Sequence, residues 1–359
     1  MTPRREFLKQ LGGAALVLPV SSAFSAHEKP KAAPIKLGQI GVGHAHASKL
    51  GVYRQSKDYE VVGIVEPDET LRKRAESQAT YKDLKWLTRE QLLNTPGLQA
   101  VLVETRVRDS LDAAEACVAA GVHVHLDKPA GESLPQYRRI LEAAAKKKLL
   151  VQMGYMFRYN PAVVLLRECL QKGWLGEPFE VHTVMSKVVD ANSRKGLAQY
   201  PGGIMFELGC HVIDLVVGFL GKPAEVTAHA QHVSKIDDKL LDNMLAVCRY
   251  PKATATVKSS ALEVDGGDRR HFVLCGTEGT FHIQPLDTPS ARITFAAPHG
   301  DYKKGYQDVT FPKYGRYVGD AADMAKIIRG EKASDFSYEH DLAVQETLLK
   351  ACGLAVTAP

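Results

Sequence analysis

Residues 35–46 read Ile-Lys-Leu-Gly-Gln-Ile-Gly-Val-Gly-His-Ala-His (IKLGQIGVGHAH). An apolar run of strand length ends on a glycine turn, Gly41-Val42-Gly43. The first glycine permits a tight turn, and the second lets backbone approach a phosphate closely. The amides that open the next helix would then face the negative charge. This stretch predicts the first strand and turn of a dinucleotide-binding fold, with Gly41, Gly43, His44 and His46 beside the pyrophosphate. The third position of G-x-G-x-x-G is His46, so the match is incomplete.

Outward from the turn, segments alternate. His46 to Ser56 reads as a helix and Tyr59 to Val65 (YEVVGIV) as a β-branched strand that ends on Glu66. An acid there is placed to bind the adenosine ribose hydroxyls and to repel a 2′-phosphate, so NAD is expected over NADP. Helices are expected over Leu71 to Ala79, Thr88 to Asn94 (opened by the N-cap-like Thr88), Ser110 to Ala120 and Gln136 to Lys147. Strands are expected over Ala100 to Thr105, Val122 to Leu126 and Leu149 to Met153. This alternation argues for a doubly wound parallel sheet of the Rossmann type over residues 34–153. Ligands in such sheets bind beyond the carboxyl ends of the strands. Gly41, Glu66, Thr105, Asp127 and Lys128 all fall there, which makes them the cofactor-binding candidates.

Asp127-Lys128-Pro129 and the run Gly154-Tyr155-Met156-Phe157-Arg158-Tyr159-Asn160-Pro161 carry a resemblance. The chain resembles the Gfo/Idh/MocA oxidoreductase family, named for glucose–fructose oxidoreductase and inositol dehydrogenase, from about Ile35 to its C-terminus. That family has Glu-Lys-Pro where this chain has Asp127-Lys128-Pro129, and Thr-Pro where it has Thr105-Arg106. Residues 154–359 read differently from the first part: an amphipathic helix over Pro161 to Lys172, then strands in series, then closing helices over Gly319 to Arg329 and Tyr338 to Cys352. A mainly antiparallel sheet is expected, and the resemblance implies that it is large and open and serves substrate binding and oligomerisation. The resemblance implies a homo-oligomer, a dimer or tetramer, with contacts on that sheet.

Gly202-Gly203-Ile204-Met205-Phe206-Glu207-Leu208-Gly209-Cys210-His211-Val212-Ile213-Asp214 is the stretch expected to carry chemistry. Read as a helix, it puts Glu207, His211 and Asp214 on one face. The family pattern has Asp where Glu207 stands. By this resemblance the reaction is hydride transfer between nicotinamide and a secondary alcohol or ketone of a sugar or polyol. His211 is then the general base, Lys128 the group that stabilises charge on the substrate oxygen, and Glu207 a ligand for a neighbouring hydroxyl or a partner that tunes His211. Tyr155, Arg158, Asp190 and Asp214 are further candidates for substrate contact. Two alternatives stand beside this reading. One is a glycosidase that keeps NAD bound and oxidises its substrate transiently; the other is a nucleotide- or sugar-binding member without catalysis.

The N-terminus, TPRREFLKQLGGAALVLPVSSAFSA, sets Arg4-Arg5 before a short apolar run and small residues at Ala23 and Ser25. It resembles a twin-arginine signal peptide over residues 1–25, followed by a linker over 26–33, and implies a periplasmic or extracellular enzyme. The run is too short to span a bilayer, so no membrane contact is expected of the mature chain. The net charge of +5, of which +2 lies before His27, is too small to argue for nucleic acid. None of the six cysteines forms a C-x-x-C pair, and plain buried thiols are expected. The H-x-H pairs His44/His46 and His123/His125 lack a third ligand in the sequence, and no metal is expected.

Overall fold

The structure is a computed structural model and describes residues 33–356. The expected signal peptide and the linker up to residue 32 lie outside the described residues. The first sheet has five parallel strands: β1 Ile35–Ile40, β2 Tyr59–Val65, β3 Ala100–Val103, β4 His123–Leu126 and β5 Val151–Met153, in the order β2-β1-β3-β4-β5. The linking helices are α1 Leu50–Gln55, α2 Glu69–Glu76, α3 Arg89–Leu93, α4 Val107–Ala119 and α5 Leu134–Lys146. Every residue of β3 is buried, as expected where helices cover both faces of a parallel sheet. α3 is short but firmly started. Thr88 Oγ1 accepts from Gln91 N–H at 3.1 Å, and the Gln91 side chain accepts from Thr88 N–H at 2.9 Å, a reciprocal cap. The chain leaves β1 in one direction to reach β2 and returns to its other side for β3, so a crevice opens at their carboxyl ends.

The second part contains α6 Pro161–Gln171, β6 Pro178–Val184, α7 Ala191–Leu197, a π-helical turn Met205–Gly209 that continues into α8 Cys210–Leu220, β7 Glu225–Gln231, β8 Asn243–Arg249, β9 Thr254–Ser260, α9 Gly266–Arg269, β10 His271–Gly276, β11 Gly279–Ile283, β12 Ser290–Phe295, β13 Gly305–Thr310, α10 Val318–Ile328 and α11 Tyr338–Ala351. Eight strands form one sheet, β13-β12-β11-β10-β6-β9-β8-β7, antiparallel except where β6 lies beside β9. Buried residues alternate along β8, which gives the sheet one covered and one open face. α8 is apolar nearly all round and is buried from Cys210 to Val217; it packs against α11 and β6.

Three local expectations change. The helix expected to begin at His46 starts as a three-residue 3-10 turn, Ala47–Lys49, and becomes α-helical at Leu50. α7 had no counterpart in the sequence reading. The boundary at 153/154 separates the two sheets but not all the helices. Ala321, Met324 and Ala325 of α10 share a core with Ile35, Leu37 and Leu102 of the first sheet, and Tyr59 donates its hydroxyl to the Ala321 carbonyl at 2.6 Å. All six cysteines are free thiols, five of them buried. No helix among the described residues is long and apolar enough to cross a membrane.

Candidate active site

The crevice begins at the glycine turn. Gly41 has φ +90°, and a Cβ there would sit 2.5 Å from the Thr105 backbone, so only glycine fits. Glu66, at the end of β2, accepts from Val42 N–H at 2.8 Å and from Asp68 N–H at 3.0 Å. These bonds lock its carboxylate beside the turn. Gly41, Glu66, Asp68, Trp86, Thr105 and Arg106 are among the residues that line a cleft of about 810 Å³. A cleft of this size, with a carboxylate at the second strand end and a turn that rejects a Cβ, fits the adenosine half of a dinucleotide.

Beneath the turn lies a buried charge cluster. Asp127 follows β4 and receives Lys128 N–H at 2.7 Å and Lys49 Nζ at 2.6 Å. His44 Nδ1 and His46 Nδ1 lie 3.2 and 3.3 Å from its two oxygens. Burial alone would raise the Asp127 carboxyl, but His44 and Lys49 outweigh it and hold it well below the usual range. Burial, reinforced by Asp127, pushes Glu104 well above its usual range. Burial would lower the Lys49 ammonium, but Asp127 and Glu104 raise it further. Asp127 thus supplies the third donor that the His44/His46 pair lacked in sequence, with all three atoms within 4.8 Å. The protein's own Lys49 already faces that carboxylate. The two rings of the other H-x-H pair have separate partners: His125 is buried against Lys49 and Gln152, while the His123 ring accepts Leu150 N–H.

Lys128 stands where the two sheets meet. It is 2% exposed, and its ammonium donates to the Glu207 carbonyl at 2.9 Å and to Glu207 Oε1 at 3.0 Å. Burial would lower its pKa; Glu207 more than reverses that and raises it. The same pairing lowers Glu207 against the upward push of its burial. His211 is also 2% exposed. Its ring sits among His46 (5.8 Å between centroids), Phe157 (5.5 Å) and Tyr155 (6.3 Å), and its Nδ1 has no hydrogen-bond partner among the described residues. Burial, then Lys128, then His46 push the His211 imidazole far below 6.5.

The single helical face expected for Glu207, His211 and Asp214 is divided three ways. The wider i→i+5 turn over Met205–Gly209 breaks the α spacing: Glu207 serves Lys128, His211 faces aromatic rings, and Asp214 belongs to Arg158. Arg158 Nε and Nη2 donate to Asp214 at 2.6–3.1 Å, and Nη2 also donates to Asp341 at 2.6 Å. Phe336 lies 4.0 Å from the same guanidinium. Arg158 and Asp214 are therefore a buried structural pair rather than groups open to substrate. Tyr155 is buried and contributes ring surface to the His211 wall. Asp190 caps α7 through Asn192 and Ser193 and does not join the Lys128–His211 group. The sequence reading missed Lys49, Glu104 and Arg106. Glu104 and Arg106 follow β3 and were reachable by the strand-end argument that found Thr105. Lys49 lies in the stretch read only as a helix, His46 to Ser56, with no neighbouring residue to mark it.

The fold and this crevice define a nicotinamide-dinucleotide oxidoreductase. Residues 35–155 match the model for the oxidoreductase family with an NAD-binding Rossmann fold, and residues 163–282 match that for the GFO/IDH/MocA C-terminal domain. The chain belongs to the Gfo/Idh/MocA family and is an NAD-binding enzyme. It is 29% identical over 322 residues to inositol 2-dehydrogenase 1 of Saccharopolyspora erythraea, covering 88% of this chain and 91% of that one. It is 24% identical over 258 residues to myo-inositol 2-dehydrogenase of Thermotoga maritima, covering 68% and 74%. Among solved structures, an Agrobacterium radiobacter oxidoreductase in complex with NAD+, L-tartaric acid and magnesium shares the fold with a TM-score of 0.74 at 18% identity, over 89% of this chain and 96% of that one.

Proposed function

We propose that the enzyme is an exported NAD-dependent dehydrogenase that moves a hydride between nicotinamide and a secondary hydroxyl carbon of a sugar or polyol. The observation that carries this reading is the Lys128 ammonium, buried at a strand end and fixed by the carbonyl and carboxylate of Glu207, with His211 close enough to feel its charge. Bound NAD+ supplies the hydride acceptor. Lys128 donates a hydrogen bond to the substrate oxygen and stabilises the negative charge that develops there. His211, neutral at pH 7 because burial disfavours its charge, takes the hydroxyl proton. Glu207 orients Lys128 and accepts from an adjacent hydroxyl. The relatives named as inositol dehydrogenases support a polyol as the substrate class. Glu66 supports NAD over NADP, and the twin-arginine leader supports folding and cofactor loading before export. A dimer or tetramer formed on the open sheet face completes the reading.

The test is a panel of inositols, hexoses and linear polyols offered with NAD+ to the purified enzyme, following NADH by fluorescence. NADH is expected with at least one polyol. His211→Ala is expected to lower kcat by about 10²–10⁴-fold while calorimetry shows NAD+ binding unchanged. Turnover unaffected by His211→Ala would remove the assigned base. Release of free sugar from a glycoside without net NADH would replace the dehydrogenase with the glycosidase reading.

A further inference from the structure

The glycine turn does not offer the free amides that its sequence suggests. Val42 N–H is given to Glu66 Oε2 at 2.8 Å, His44 N–H to the Glu104 carbonyl at 3.0 Å, and His46 N–H to His44 Nδ1 at 3.1 Å. In the turn, Gly43 and Ala45 are left as amides with no acceptor among the described residues. The α-helix starts only at Leu50, so the positive end of its dipole is set back from the turn. A dinucleotide brings two phosphate charges to this place, and the backbone answers them only in part.

Arg106 reaches the turn from the side. Its stem lies against Gly43, where an added Cβ would stand 3.1 Å from Arg106 Cγ and 3.4 Å from Arg106 N. Any larger residue at 43 would push the arginine away. Arg106 Nη2 pairs with Asp68 Oδ2 at 2.8 Å, with the arginine side chain 51% exposed, and both residues line the 810 Å³ cleft. The other Asp68 oxygen caps α2 through Thr70 and Leu71 N–H, so that carboxylate stays in place when Arg106 leaves it. An exposed pair of this kind is weak in water. A guanidinium–phosphate contact is charge-assisted and bidentate, so the exchange favours the phosphate. Of the other cations that line the cleft, Arg72 is tied to Glu76 at 2.9 Å and lies over the Trp86 ring, and Arg89 opens α3.

We propose that Arg106 is the side chain that binds the cofactor's pyrophosphate, turning from Asp68 to the phosphates when the dinucleotide enters. The proposal rests on the cofactor reading of the cleft. It gives the loop after β3, where this chain has Thr105-Arg106, a binding role of its own.

Calorimetric titration of the full enzyme with ADP-ribose, adenosine and NADP+ tests it. Arg106→Gln is expected to weaken ADP-ribose by about 10–100-fold, the scale of a lost charge-assisted contact, and to leave adenosine within twofold. Arg106→Lys is expected to recover part of the loss, and Asp68→Asn, which keeps a side-chain cap for α2 but releases the guanidinium, to tighten ADP-ribose several-fold. ADP-ribose binding within twofold of wild type in Arg106→Gln would overturn the proposal. So would an equal loss for adenosine, which would mean that the cleft had collapsed, or a loss confined to NADP+, which would make Arg106 a reader of the 2′-phosphate. If the wild-type enzyme itself binds neither ADP-ribose nor NAD+, the cofactor reading fails, and this proposal fails with it.

Discussion

Two buried ion clusters flank Lys128, and they are built in opposite ways. Around Arg158, a planar fork meets two carboxylates, an aromatic ring covers it, and His340 approaches Asp214 at 3.3 Å. Around Asp127, a single ammonium, Lys49, serves both Asp127 and Glu104. It lies 3.2 Å from Glu104, out of line for a hydrogen bond, and both Glu104 oxygens and both Asp320 carboxylate oxygens lack hydrogen-bond partners among the described residues. Buried polar atoms are normally satisfied. The satisfied cluster ties the 156–159 turn, α8 and α11 together and holds shape. The under-satisfied one lies below the glycine turn and beside His46 and Lys128, where the function proposed above puts the charged cofactor and the proton transfer.

The contrast can be broken from either side. Arg158→Leu leaves Asp214 and Asp341 buried without their cation and is expected to cost about 3–5 kcal/mol, read as a lower denaturation midpoint in urea. The fraction that stays folded should still bind NAD+ normally. Lys49→Met is expected to cost less, about 1–3 kcal/mol, because Glu104, already pushed toward its protonated form by burial, absorbs part of the imbalance. Unlike Arg158→Leu, it should weaken NAD+ binding. Equal stability losses with no difference in NAD+ affinity would show the two clusters to be equivalent.

Acid sharpens the same comparison. Burial holds His46 down to about 4 and His125 down to about 3, against 6.5 when unfolded, and His211 is lowered in the same direction. The unfolded chain therefore takes up these protons first. Stability is full above about pH 6.5 and falls as the pH drops below it toward 4 and 3. Thermal melts from pH 8 to 4 should show Tm constant and then declining, and hydrogen exchange at pH 5 should open the first sheet before α8 and α11. A Tm that held flat down to pH 4 would mean these rings are not buried neutral. The smallest effect expected is at Glu66. Glu66→Ser removes the carboxylate proposed to meet the ribose and should shift the ratio of NAD+ to NADP+ affinity by about tenfold toward NADP+; an unchanged ratio would place cofactor choice elsewhere.

The parallel sheet was legible because its signals are local. β-branched runs, a glycine that must take positive φ, and acids at strand ends each follow from a few neighbouring residues. The reciprocal cap of Thr88 with Gln91 was half legible, through Thr88 alone. What escaped depends on residues far apart in the chain. Nothing near Lys49 in sequence shows that it is buried against Asp127, and nothing near Arg158 announces Asp341. α10 reads as part of the second domain and packs on the first, against α1 and the Tyr59 hydroxyl, because its side chains at Ala321 and Ala325 are small. The face shared by Glu207, His211 and Asp214 was misjudged because a spacing argument assumes an α-helix, and the π turn changes the spacing.

That turn also bears on how freely the site can change its sequence. Lys128 is held by a main-chain oxygen as well as by a carboxylate, and a main-chain oxygen survives any substitution at position 207. The carboxylate can lengthen, shorten or vanish while the ammonium keeps its main-chain anchor, so under the function proposed above a new hydroxyl pattern can be explored one mutation at a time. On the roles proposed for Lys128 and Glu207, specificity and catalytic geometry, which would be inherited together if a side chain alone held Lys128, become separable, because the residue 207 carbonyl also holds the lysine.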